Sequence, residues 1–175
     1  TNLFKNVIAS SGAFTDVTAD SNGIIYASDS KGYIYVYTRD GELIFSLGEK
    51  AGNNDVSGLF SSLTTIAVDN NGNIWTADGK KGFIQSFTPT EYATTIYKAL
   101  QEYENGDYTD ALKDWNYVLR LNQMSVLAHN GVAKAYYNDE EYDKAMEHFE
   151  IAGNRSGYSD AFWEVRNKGI QKDLG

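Results

Sequence analysis

The chain repeats itself twice, with two different periods, and this restricts its folding more than any single residue does. Residues Phe14 to Asp29 return as Leu63 to Asp78, offset by 49, and the run Gly32-Tyr33-Ile34-Tyr35-Val36-Tyr37 returns as Gly82-Phe83-Ile84-Gln85-Ser86-Phe87, offset by 50. In the second half Gly106 to Trp115 aligns with Glu140 to Phe149 at a period of 34, so that Tyr108/Tyr142, Ala111/Ala145 and Trp115/Phe149 correspond. A repeat of such length is one supersecondary unit that cannot bury its own apolar face, and it is stable only when a neighbour covers it.

The two repeats differ in kind. Up to Thr88 apolar residues alternate with polar or small ones in short runs, which predicts strands near 15–19, 24–28, 33–38 and 43–47 and a second unit over 63–88 that stops after three strands. Asn22-Gly23 and Asn71-Gly72 are expected to form two-residue type I′ turns, with Asp40-Gly41 making the next hairpin. The stretch Leu3 to Ile8 reads as an outer strand of a preceding unit. From Pro89 onward apolar residues recur at three- and four-residue spacing, which predicts helices over 89–104, 107–121, 126–138, 141–153 and 159–171. Thr88-Pro89-Thr90-Glu91 has the form of a capping box, and Ser125 and Ser159 are expected N-caps. The fold class is therefore α+β with two domains, 1–88 and 89–175, and the absence of a flexible linker predicts a fixed junction.

The run Ala-Val-Asp-x-x-Gly-x-Ile-Trp-x-Ala-Asp at Ala67 to Asp78, with its weaker copy at Ala19 to Asp29, resembles the NHL repeat, a β-propeller blade. The resemblance implies two blades of a partial propeller. Two cannot close a ring, since closure takes roughly 4 to 8. The helical repeat, with Ala99 and Ala133 twelve residues before Ala111 and Ala145, resembles the tetratricopeptide repeat, a helical solenoid. It departs from that pattern at Gln123 and Gly157, where Pro is expected, and at Thr95 and His129, in the usual Trp position. The order of the two halves resembles bacterial exported proteins in which an NHL propeller precedes tetratricopeptide repeats and a membrane domain follows. That resemblance implies an extracellular, membrane-anchored parent. The missing initiator Met gives the same expectation, of a fragment of a longer protein.

Composition restricts the chemistry. A net charge of −9 disfavours nucleic acid, and the helical half carries most of it: six basic and nine acidic residues up to Thr90 leave −3, nine and fifteen from Glu91 leave −6. There is no Cys, which excludes disulfides, thiolate nucleophiles and Cys-ligated metals. No apolar run approaches the ~18 residues of a membrane span, so the membrane is reached only through segments outside this chain. Asp69 to Asn73 has the look of a calcium loop, but Lys80 stands where a bidentate Glu is required, and a hairpin turn is the better reading. Asp29 and Asp78 are expected to cap turns, and Glu140-Glu141 to lie on a solvated helix start. His129 and His148 fall on different helices without metal-ligand spacing, and are assigned to the surface or to packing.

No catalytic residue, metal site or cofactor is expected. What remains is binding surface. In repeats of the resembled kind the first helix of each pair lines a concave peptide groove, and that face would carry Ile96, Leu100, Tyr103, Asn130, Lys134, Tyr137 and Glu164. The expected function is a non-catalytic scaffold for a protein, a peptide or a cell-wall glycan, with self-association through open blade edges as a further expectation. The alternative is the C-terminal piece of a propeller enzyme, lactonase- or lyase-like, whose catalytic residues lie mostly outside this chain.

Overall fold

The computed structural model describes residues 13–52 and 56–173. The chain divides into two units, 1–89 and 90–175, the first built of strands and the second of helices. The expected strand over Leu3 to Ile8 lies outside the described residues.

In the first unit β1 (Phe14–Ala19), β2 (Ile25–Asp29), β3 (Ile34–Tyr37) and β4 (Leu43–Leu47) form an antiparallel meander in the order β1-β2-β3-β4. The short strands β5 (Glu49–Lys50) and β6 (Leu59–Phe60) pair in parallel, and β7 (Leu63–Val68), β8 (Ile74–Asp78) and β9 (Phe83–Phe87) form a second meander. The two meanders share even their irregularity. The β1/β2 register slips between Phe14 and Asp16, the β7/β8 register between Leu63 and Thr65, at corresponding repeat positions.

The Asn-Gly turns differ from the expected type I′ geometry. Gly23 N–H donates to Asp20 O at 3.1 Å while Asp20 N–H donates to Ile24 O at 3.0 Å, and Gly23 alone takes positive φ (81°). This is a longer loop, a turn closed by a left-handed glycine, and Gly72 repeats it at φ 79°. The cause is the preceding carboxylate: Asp20 Oδ1 accepts from Asn22 and Ile24 N–H, both at 2.9 Å, and Asp69 Oδ1 does the same for Asn71 and Asn73. An Asp that turns the chain in this way leaves Asn in an ordinary negative-φ conformation.

The first meander packs on the second through β1 and β2 against β7. Alternation sorts each sheet into two faces. Tyr26, Ser28, Ile34 and Val36 share one face of the first sheet and are all fully buried. Ala27, Tyr35 and Tyr37 cluster on the other with Ile25, Tyr33 and Leu43 against them. Asp16 ties the sheets directly: its Oδ2 accepts from Thr65 Oγ1 at 2.7 Å and from Ile66 N–H at 3.0 Å.

The second unit holds α1 (Glu91–Asn105), α2 (Tyr108–Leu121), α3 (Val126–Asn138), α4 (Tyr142–Ile151) and α5 (Arg155–Asp173). Each packs on the next in sequence. Small residues stand at the crossings, where Ala99, Ala111, Ala133, Ala145 and Ala161 are wholly buried, and Trp115 and Phe149 fill the space between helices.

Two caps fall elsewhere than expected. α1 is capped by Thr90, whose hydroxyl accepts from Ala93 N–H at 3.4 Å, so the cap is not Thr88 and Pro89 precedes the helix. α5 starts at Arg155 rather than at 159, because Asn154 Oδ1 accepts from Gly157 N–H at 2.9 Å while Asn154 Nδ2 donates to Asn130 Oδ1 at 2.7 Å. Ser159 therefore lies inside the helix. Ser125 does cap α3, accepting from Ala128 N–H at 3.2 Å.

Candidate functional site

The first helices of successive pairs come within reach of one another along one side of the helical unit. Tyr103, near the end of α1, accepts at its hydroxyl from Asn138 Nδ2 at 2.9 Å, and the same amide donates to Lys134 O at 2.8 Å. Asn138 follows Lys134 by one helical turn, so both lie on one face of α3. From α3 the surface continues to α5. Burial raises the Tyr137 hydroxyl above its ordinary range, and the carboxylates of Glu164 and Asp160 on α5 and the Tyr142 hydroxyl add to the rise.

Aromatic rings floor this surface. Tyr103 and Tyr108 meet with centroids 5.3 Å apart, Tyr137 and Tyr142 edge-on at 5.2 Å. Lys168 closes the far end: its Nζ lies 4.5 Å over the Tyr142 ring and 2.9 Å from Glu140 Oε2, and that carboxylate holds the ammonium charged to higher pH than usual. The strip thus offers tyrosine rings, an amide and both charge signs, a set suited to hydrogen bonding and stacking.

The sequence-derived groove residues divide accordingly. Tyr103, Lys134, Tyr137 and Glu164 are half-buried, as is Leu100. Ile96 is fully buried and Asn130 is 5% exposed, so these two are occupied by packing and by the Asn154 hydrogen bond. Asn138 joins the strip without having been singled out, and so do Tyr108 and Tyr142, which the sequence marks only as repeat-equivalent positions. The four-residue step from Lys134 was the available signal for Asn138.

A second arrangement escaped the sequence entirely. His129 and His148, 19 residues apart, meet with Nδ1 to Nδ1 at 2.9 Å, while His129 Nε2 lies 3.1 Å from Gln123 O. If Nε2–H donates to that carbonyl, His129 Nδ1 is left as acceptor for His148 Nδ1–H. Burial, followed by the neighbouring His129, lowers the His148 pKa below its ordinary value. Among the described residues no group of three or more His, Cys, Asp or Glu gathers where a metal ion could be held.

The strand-end aspartates serve the sheets. Asp29 Oδ1 accepts from Lys31 and Tyr33 N–H, and its Oδ2 from the Tyr35 hydroxyl at 3.1 Å. Asp78 accepts from Ser61, Ser62, Lys80 and Lys81 N–H. Burial raises the Asp78 carboxyl, but the four donated amides outweigh it and the net shift is downward.

Shallow concavities lie elsewhere on the helices. One of about 600 Å³ is lined by Lys113, Asn116, Tyr117, Leu119, Arg120 and Gln123, and another of about 280 Å³ sits over Phe149, Gly153, Asn154, Arg155 and Tyr158. Among the described residues no helix is long and apolar enough to cross a membrane. No family model matches the chain, and no curated protein matches it.

Proposed function

We propose that the chain is a non-catalytic binding scaffold whose helical unit takes an extended polypeptide segment. The observation that carries this reading is the strip along α1, α3 and α5 in which Asn138 hydrogen-bonds the Tyr103 hydroxyl and the Lys134 carbonyl while Tyr137 lies within electrostatic reach of Glu164. Tyrosine rings provide area at little entropic cost, and the Asn138 amide oxygen can accept from a peptide backbone N–H. With −6 on the helical half, neutral or basic segments are favoured over acidic ones.

In this reading the paired helices are tetratricopeptide repeats and the two meanders are NHL-type propeller blades, belonging to the extracytoplasmic part of a membrane-anchored bacterial protein. The shared register slip at Phe14/Asp16 and Leu63/Thr65 supports a common blade ancestry. The buried alanines at the helix crossings support the helical assignment.

The test is selection of displayed linear peptides on the purified chain, followed by titration of the enriched peptides against Lys134→Glu and Tyr103→Ala. The expected result is binding that both variants weaken at least tenfold with unchanged circular dichroism. Peptides that bind the variants as well as the parent, or a library that yields no binder, would refute it.

A further inference from the structure

The chain has two histidines and no cysteine, and the helical unit brings both imidazoles together from positions 19 residues apart. His129 lies in α3 and His148 in α4, and their Nδ1 atoms stand 2.9 Å apart, with ring centroids at 5.1 Å and planes inclined by 35°. Both residues are half-buried, so packing holds the pair while solvent still reaches it. The far side of His129 is already engaged. Its Nε2 lies 3.1 Å from Gln123 O, and an Nε2–H donated to that carbonyl leaves Nδ1 with a lone pair turned toward His148. Proteins orient metal-binding imidazoles in this way, one ring nitrogen donating to a backbone carbonyl and the other left to coordinate.

The spacing of the two nitrogens selects a coordination geometry. With metal–nitrogen bonds of about 2.0–2.1 Å, nitrogens at adjacent corners of a square lie about 2.9 Å apart, and at two corners of a tetrahedron about 3.3 Å. The observed separation is the first of these. To accept an ion each ring turns until its lone pair makes about 45° with the Nδ1···Nδ1 line, and His148 carries its proton on Nε2 instead of Nδ1.

We propose that His129 and His148 form a bidentate site for a divalent transition cation that prefers square or tetragonal coordination, copper(II) or nickel(II), which replaces the hydrogen bond between the two rings and ties α3 to α4. Imidazole nitrogen suits these ions, whereas magnesium and calcium seek oxygen. Among the described residues no third His, Cys, Asp or Glu joins the pair. The remaining coordination positions therefore belong to water, and the site is open and exchangeable, unlike a closed structural centre with four protein ligands. It is independent of the tyrosine strip and stands whether or not that strip binds a peptide.

The test is calorimetric titration of the untagged whole chain with copper(II) chloride and, separately, nickel(II) chloride, repeated on His129→Gln, His148→Gln and the double variant. One ion per chain is expected. Each single variant should bind it at least tenfold more weakly, and the double variant no more weakly than the singles, because a chelate needs both rings. The ion should also raise the melting temperature of the helical unit in the parent and in none of the variants, since only the packed helices present both nitrogens together. Nuclear magnetic resonance on the parent gives a readout that needs no variant: copper(II) broadens the signals of the two imidazoles before any others. No saturable binding, an affinity that either single variant keeps, or broadening that begins elsewhere overturns the proposal.

Discussion

Gly131 offers the sharpest test of the helical packing, because two effects of opposite sign act on one substitution. It lies inside α3, where Gly→Ala ordinarily stabilises a helix by about 1 kcal/mol. A Cβ at this position, however, would enter the indole of Trp115, reaching Nε1 at 2.5 Å and Cδ2 at 2.6 Å, with Cε2 nearer still. Trp115 is 1% exposed and cannot swing aside into solvent. Overpacking of this kind costs about 1–3 kcal/mol. Contacts this short put the steric cost toward the upper end of that range, about 2–3 kcal/mol; less the propensity gain, Gly131→Ala is destabilising by about 1–2 kcal/mol, a fall in Tm of roughly 4–16 °C for a unit of this size.

The assay is thermal unfolding followed at the helical circular dichroism band, with the parent, Gly131→Ala, Trp115→Phe and the double variant forming a cycle. Phe is smaller and also removes the buried Trp115 Nε1–H, which has no acceptor. Gly131→Ala is therefore expected to cost less in the Trp115→Phe background. A Gly131→Ala chain as stable as the parent or more so, or additivity across the cycle, would show that the indole does not set the helix separation.

Asp78→Ala strands four part-buried amide donors and is expected to cost the strand unit about 1–3 kcal/mol, read by chemical denaturation. Since folding lowers the Asp78 pKa from 3.8, its stabilisation is complete above that value and is lost as pH falls through the lower folded value; Asp78→Asn should flatten the acid limb of the stability profile. Asp16→Ala removes the tie to Thr65 and Ile66 and is expected to lower the melting temperature of the strand unit while leaving that of the helices unchanged. The His148 pKa is lowered from 6.5, so the helical unit should be most stable above that pH and weaken as the solution is acidified below it; His148→Gln should remove that limb, with His129, Glu147 and Tyr136 the neighbouring groups to control.

The strands and helices could be read in advance because their periods are strong and each occurs twice. The short features could not. β5 and β6 are two residues each, too brief for alternation to register, and their pairing is parallel across a stretch of Gly and Asn. Ser159 looked like a cap by extrapolating the 34-residue spacing, whereas Asn154 wins because its amide satisfies Gly157 and Asn130 together. Within the candidate strip the helical period located Tyr103, Lys134, Tyr137 and Glu164, but it carries no information on which members of a face are sealed. Ile96 and Asn130 are sealed by neighbours that only the packed structure brings near. The His129–His148 contact was invisible for a related reason, since each residue supplies its ring from a different helix and neither is marked locally.

The small parallel pair β5–β6 has a bearing on how this chain can change length. Glu49 pairs with Leu59 and Lys50 with Phe60, while Glu49 N–H and Ala51 N–H donate to Gly58 O and Phe60 O. The backbone thus leaves the first meander and returns to nearly the same spot before entering the second. The cost of closing the connection from Ala51 to Gly58 grows only slowly with added residues. An inserted epitope or fluorophore site there should leave the seating of the two meanders untouched, and descendants of this sequence have a natural place to gain or shed residues.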